Sequence, residues 1–160
     1  MIRWWLFQAN PERFRLSSAL RELRDFTYQV NQYRQEMHAG DRVFLYETGP
    51  SGGVMALGHL RDEPKIGRSE DAANKYWTVL AESDVGDRWR VGVHVDFLIR
   101  PPIARSTLKS NLGTADLPNI RFAQATNYPV TPAAAAELLV IALDRSVRHV
   151  TDDAPKGASK

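Results

Sequence analysis

The sequence predicts an α+β fold, a small mixed β-barrel of five or six strands with helices packed outside. Three observations carry this reading. An aromatic-rich apolar run at the N-terminus is followed at once by a helix start, two β-rich runs flank an obvious turn near residue 50, and a third long run alternates strictly before a proline pair. Closing short strands on themselves removes the edges that invite aggregation.

Ile2 to Gln8 reads as the first strand. Asn10-Pro11 then supplies a helix N-cap and the preferred first-turn proline, and Leu16, Leu20 and Leu23 give that helix an apolar stripe. Thr27 to Val30 is a short strand, and Tyr33 to His38 one helical turn closed by Gly40. Arg42 to Thr48 and Val54 to Leu60 form a hairpin through Gly49-Pro50-Ser51-Gly52-Gly53. Arg61 to Lys75 turns polar, as a long surface loop does.

Tyr76 to Ala81 and Trp89 to Leu98 resume strand character around a turn at Asp84 to Asp87. In the second of these runs Val91, Val93, Val95 and Phe97 alternate with Gly92, His94 and Asp96, and Pro101-Pro102 ends it. A short helix is expected around Arg105 to Ser110. Thr131-Pro132 caps a final helix to about Val147, with Leu138, Leu139, Ile141 and Ala142 toward the core. Residues 1–150 therefore read as one domain, and residues 151–160, which lack periodicity, as a disordered tail or linker.

At 160 residues with an ordinary apolar share, one domain with a real core is the default. The absence of cysteine excludes a disulfide scaffold, a thiolate metal site and a cysteine nucleophile. With no long apolar span and no cleavable leader pattern, a cytoplasmic protein without membrane contact is the simplest reading. The net charge of +2 is weak, but Arg100, Arg105, Lys109 and Arg121 meet only Asp116 in their span. Such a patch suits a polyanion, and these four are the expected phosphate contacts; a solvated face is the alternative.

The four histidines share no ligand spacing, so neither a metal nor a cofactor is expected. There is no nucleophile elbow or phosphate loop, and Asp41 after Gly40 more often fixes a turn than moves a proton, so no catalytic residue is assigned. The aromatic residues are better candidates. Most of them must fill the core of so small a barrel.

The segments Tyr28-Gln29-Val30-Asn31-Gln32, Gly40-Asp41 before Arg42-Val43-Phe44-Leu45-Tyr46, and Gln124-Ala125-Thr126-Asn127-Tyr128-Pro129-Val130-Thr131-Pro132 together resemble the EVE domain. That family is a member of the PUA-like group, related to YTH readers, and the resemblance runs from Trp4 to about Leu143. It implies a fold that cups one modified base flipped out of a nucleic acid.

Tyr28 matches a pocket position where the family commonly has Trp, Asn10 matches an Asn-Pro, and Gln124, Thr126 and Asn127 match a late polar segment whose amides and hydroxyl suit a base edge. Thr131 already caps the last helix, which leaves Asn127 free for such a contact. Trp5, Gln32, Ser51 and Trp77 complete the expected base pocket.

The resulting expectation is a non-catalytic reader of modified double-stranded DNA that takes a flipped 5-methylcytosine, 5-hydroxymethylcytosine or N6-methyladenine between aromatic walls. Bacterial EVE domains often accompany methylation-dependent restriction modules, so a nuclease on another chain or beyond Lys160 is an expected partner. The alternatives are an RNA-modification reader, a small-molecule or nucleotide sensor using the same pocket, and a structural interaction module.

Overall fold

The computed structural model describes residues 1–78, 86–122 and 124–153. Its elements in chain order are β1 (Trp4–Ala9), α1 (Leu16–Glu22), β2 (Asp25–Gln29), β3 (Arg42–Glu47), β4 (Gly53–Leu60), β5 (Lys65–Gly67), α2 (Asp71–Asn74), β6 (Arg88–Ile103), α3 (Arg105–Ser110), α4 (Pro118–Arg121), β7 (Asn127–Val130) and α5 (Pro132–Asp153). The strands form one curled mixed sheet in the order β2-β6-β4-β3-β1-β7, with β5 pairing the start of β6. Only the β1–β3 pair is parallel among these.

The sheet buries both faces. Trp5, Phe7, Val43, Leu45, Val91 and Val93 point to the concave side with Leu16, Ala19 and Leu20 of α1, while Leu6, Phe44, Tyr46 and Ile103 point to the convex side under Leu108 of α3 and Ala135 and Leu138 of α5. The period of two along each strand produces this division. α1 packs its apolar stripe against the concave face.

Several elements differ from expectation. The first helix starts at Leu16; the Asn10 side chain instead accepts the N–H of Glu12, and the Asn10 carbonyl accepts Arg13 and Phe14, so the Asn-Pro caps a turn. Tyr33 to His38 forms turns without a helix, and the polar stretch after Arg61 contains β5 and α2. Together with β7, which lies inside the Gln124-to-Pro132 motif just ahead of the final helix, β5 raises the strand number to seven among the described residues.

Pro101-Pro102 does not end β6, which runs on to Ile103 paired with Val54. Phe97 is 67% exposed, contrary to the alternation. A register shift opposite Leu57 and Gly58 inserts one extra residue in β6, so that Leu98 takes the concave side and Phe97 is carried to the convex one. Trp77 makes only an isolated bridge to Phe14, and the rest of the strand and turn expected at 79–85 lie outside the described residues. The final helix continues to Asp153, so the tail expected from 151 begins with three helical residues and otherwise lies outside the described residues.

Asp41 has the structural role expected of it. Its buried carboxylate accepts the N–H groups of Arg3 and His38 and, at 3.0 Å, the indole N–H of Trp5. Gly40, with φ +89°, makes the left-handed turn that brings it there.

Candidate functional site

The open end of the concave face holds a cavity of about 440 Å³, within the range of small-ligand sites. Its walls are the end of β1 (Gln8, Ala9, Asn10), the turn carrying Arg13 and Phe14, Thr27 to Gln29 of β2, and Asn31. Thr48, Trp77 and Gln124 to Thr126 close it. No two consecutive elements could build it alone, since the walls converge only through the sheet order.

Its apolar side is aromatic. Phe14 is buried and Trp77 half-buried, their ring centroids 4.8 Å apart at 53°, and the Trp77 indole N–H donates to Ser69 Oγ at 3.2 Å. Trp77 is therefore held at one edge while part of its face stays accessible. Tyr28 is only 7% exposed, with Phe7 and Phe26 at 5.1 and 6.3 Å. Burial pushes its phenol well above the ordinary range, the charge of Glu47 adds to this, and its hydroxyl has no hydrogen-bond partner among the described residues.

The polar side is made of amides and hydroxyls. Asn31 Nδ2 donates to Thr126 Oγ1 at 3.0 Å, and Gln8 Nε2 to the Ala125 carbonyl at 3.4 Å, which ties the 124–126 segment to both β1 and the end of β2. Gln29, Thr27 and Thr48 add further donors and acceptors. Among the described lining residues Arg13 carries the one charge. An electroneutral planar ligand with an anionic neighbour matches this inventory.

A family model for the EVE domain matches residues 3–141. The chain belongs to the EVE domain family. Its PUA-like fold is shared with solved structures at low identity. A hypothetical protein from Leishmania major superposes with TM-score 0.67 at 16% identity, covering 91% of this chain and 98% of that one. The human THYN1 protein, in complex with DNA containing 5-methylcytosine, gives 0.63 at 15%, covering 88% and 97%. PSPTO5229 from Pseudomonas syringae gives 0.62 at 20%, covering 87% and 99%. A comparison with curated proteins returns no match.

In this EVE domain the residues singled out from the sequence separate into two groups. Asn10, Tyr28, Trp77, Gln124 and Thr126 line the cavity. Trp5, Gln32, Ser51 and Asn127 do not. Trp5 is 1% exposed and bonded to Asp41, and Ser51 sits exposed in the hairpin turn. Asn127 is fully buried: its Oδ1 accepts the N–H groups of Asn31 and Gln32, and its Nδ2 donates to the Gln29 carbonyl. Gln32 Oε1 in return accepts the N–H groups of Thr126 and Asn127 at 3.3 Å. These two amides build the wall from behind.

None of the four expected phosphate contacts lines the cavity. Arg105 donates to the carbonyls of Asn119 and Ile120, at 3.4 and 2.9 Å, and so ties α3 to α4. Arg121 lies 3.9 Å from Asp116, while Arg100 and Lys109 are exposed. Sequence reading missed Arg13, Phe14 and Asn31. The Asn10-Pro11 turn was the available signal for the first two, because its carbonyl bonds fold Arg13 and Phe14 back over the end of β1. Asn31 lies within the Tyr28-to-Gln32 motif itself.

No helix among the described residues is long and apolar enough to cross a membrane, and no group of three or more His, Cys, Asp or Glu is placed there to hold a metal ion.

Proposed function

We propose that this EVE domain is a non-catalytic reader of modified DNA that accepts one extruded base in the cavity at the open end of its half-barrel. The observation that carries the proposal is the lining itself: a half-buried Trp77 face, a ring of uncharged amides and hydroxyls, and the single cation Arg13. Stacking serves any base, and the amides serve its hydrogen-bonding edge. The shared fold with human THYN1 bound to 5-methylcytosine DNA supports this and makes 5-methylcytosine the first base to test.

Asn31, Gln124 and Thr126 hold the base edge in this reading, Asn10 borders it, and Tyr28 is the packed floor rather than a free stacking wall. Arg13 meets a phosphate of the extruded nucleotide, and exposed Arg100, Lys109 and Arg121 attract the polyanion at longer range. A partner nuclease of a modification-dependent restriction system is part of the same proposal and rests on the family resemblance.

The test is a fluorescence-anisotropy comparison of matched duplexes that carry cytosine, 5-methylcytosine, 5-hydroxymethylcytosine or N6-methyladenine. One modified duplex should bind at least about tenfold more tightly, equivalent to about 1.4 kcal/mol. Equal affinity across the panel sinks the reading.

A second reading, a sensor of a free nucleotide, is favoured by one observation: the four expected phosphate-gripping cations do not line the cavity and Arg105 is committed to backbone carbonyls. Under that reading a modified mononucleotide binds as tightly as the duplex that contains it.

A further inference from the structure

A second concavity of about 440 Å³ lies beyond Asn31, the residue it shares with the first, and is formed by Val30 to Glu36 with Trp89. Two features set it apart from an ordinary surface groove. The Arg34 guanidinium carbon sits 4.2 Å from the centroid of the Trp89 ring, and Tyr33, next to Arg34 in the chain, holds a left-handed backbone with φ +59°. Tyrosine adopts that conformation at a cost, and such strain concentrates where a side chain must be aimed. Tyr33 remains 45% exposed, though its ring lies 5.8 Å from buried Trp5.

We infer that this second concavity is a stacking subsite for the nucleotide adjacent to the extruded base, built from Tyr33 and the Arg34–Trp89 pair. This inference rests on the reading of the first cavity as the modified-base site. The guanidinium plane of Arg34 is exposed and backed by the Trp89 ring, and bases stack on such planes as they do on aromatic rings. Tyr33 supplies a second flat wall. Glu36 lines the same concavity and balances the charge of Arg34, so the flat surfaces are what it offers a base.

The two cavities meet at Asn31, whose side chain is bound to Thr126 of the first wall and whose N–H is bound to Asn127. A single residue thus separates one base position from the next. Because stacking is tolerant of base identity, the subsite adds affinity without a preference for the neighbouring sequence.

The experiment is a cycle between a protein ring and a DNA base. A duplex with one copy of the modified base that the parent prefers, of 5-methylcytosine, 5-hydroxymethylcytosine and N6-methyladenine, is compared with two duplexes in which the nucleotide on its 5′ or its 3′ side is abasic, each titrated into the parent and into Trp89→Ala and Tyr33→Gly. The glycine variant removes the ring while its backbone adopts the left-handed conformation freely. For one of the two flanks the parent should lose affinity about five- to 150-fold on removal of the base, whereas both variants, already weakened, should lose little more.

Equal losses in parent and variants at both flanks overturn the subsite. So does a parent that is indifferent to both abasic flanks. If the parent binds every modified duplex as it binds the unmodified one, the first-cavity reading fails and the subsite falls with it. Preserved discrimination in Trp89→Ala with lost coupling supports the subsite alone. Melting curves show that the variants are folded.

Discussion

The side-chain carbonyl of Asn127 accepts the backbone N–H of Asn31 at 2.9 Å, while its amide donates to the Gln29 carbonyl at 3.1 Å. Asn127 stands at the start of β7 and Gln29 at the end of β2, the two terminal strands of the sheet order. One side chain thereby makes the cross-connection that a backbone ladder would make in a closed barrel, and it does so immediately behind the cavity wall.

Asn127→Ala should accordingly destabilise the domain by about 2 to 4 kcal/mol, because donors and an acceptor lose their partner in a part-buried setting. Asn127→Asp should be no better, since it places a carboxylate oxygen against the Gln29 carbonyl. Urea denaturation reads the loss; a change under about 0.5 kcal/mol contradicts the bridge.

Tyr28 separates stability from recognition. Tyr28→Ala should cost about 3 to 5 kcal/mol through the cavity it leaves, which prevents it from serving as a clean binding variant. Tyr28→Phe removes a buried hydroxyl with no partner among the described residues, so it should be neutral or stabilising at pH 7.

The two forms should diverge with alkali. Burial raises the folded-state value of this phenol above its ordinary value of about 10, so folding favours the protonated form. Stability from this group is complete below about pH 10 and falls as pH rises further, by up to about 1.4 kcal/mol per pH unit. The stability difference between parent and Tyr28→Phe, followed from pH 8 to 11, should widen in favour of the variant, and a constant difference would contradict the assignment.

Trp77 is the stacking residue to remove. Trp77→Leu keeps an apolar contact for Phe14 but gives up the flat face, and it should weaken binding of the preferred modified duplex by about five- to 150-fold. Binding to unmodified duplex should hardly change, because phosphate contacts carry no base identity. Parallel losses on both duplexes would assign Trp77 to general folding.

Arg13 and Arg105 should behave oppositely. Arg13→Ala should reduce affinity at low salt and lower the slope of log affinity against log salt by about one. Arg105→Ala should lower the melting temperature through the lost Asn119 and Ile120 carbonyl contacts and leave the salt slope nearly unchanged. Identical slopes for parent and Arg13→Ala would remove Arg13 from the interface.

Much of this fold was legible because its signals are local: the 49–53 turn, the leucine stripe of α1 and the Thr131 cap, whose Oγ accepts the Ala134 N–H, all act within a few residues. β7 was not legible. It has four residues with Pro129 among them, and a proline is tolerated there because β7 pairs only with β1. The reversal of sides at Phe97 was hidden for a different reason: an extra residue in β6 is defined only against its partner β4.

The candidate site divides in the same way. The resemblance directs attention to Asn10, Tyr28, Gln124 and Thr126, and aromatic character to Trp77, all of which line one cavity. Asn127 and Gln32 carry the same polar chemistry but face backbone groups. Which side of a wall an amide occupies depends on tertiary contacts that no spacing records.

The placement of β1 between β3 and β7 sets a timetable for synthesis. The first strand of this sheet can pair with β3 early, yet its other edge stays open until Asn127–Val130 emerges, and the cavity wall at 124–126 arrives only just before. A nascent chain halted ahead of Gln124 has most of its sheet but an incomplete cavity. The cavity is therefore completed only when the last strand of the domain covers the open edge of β1.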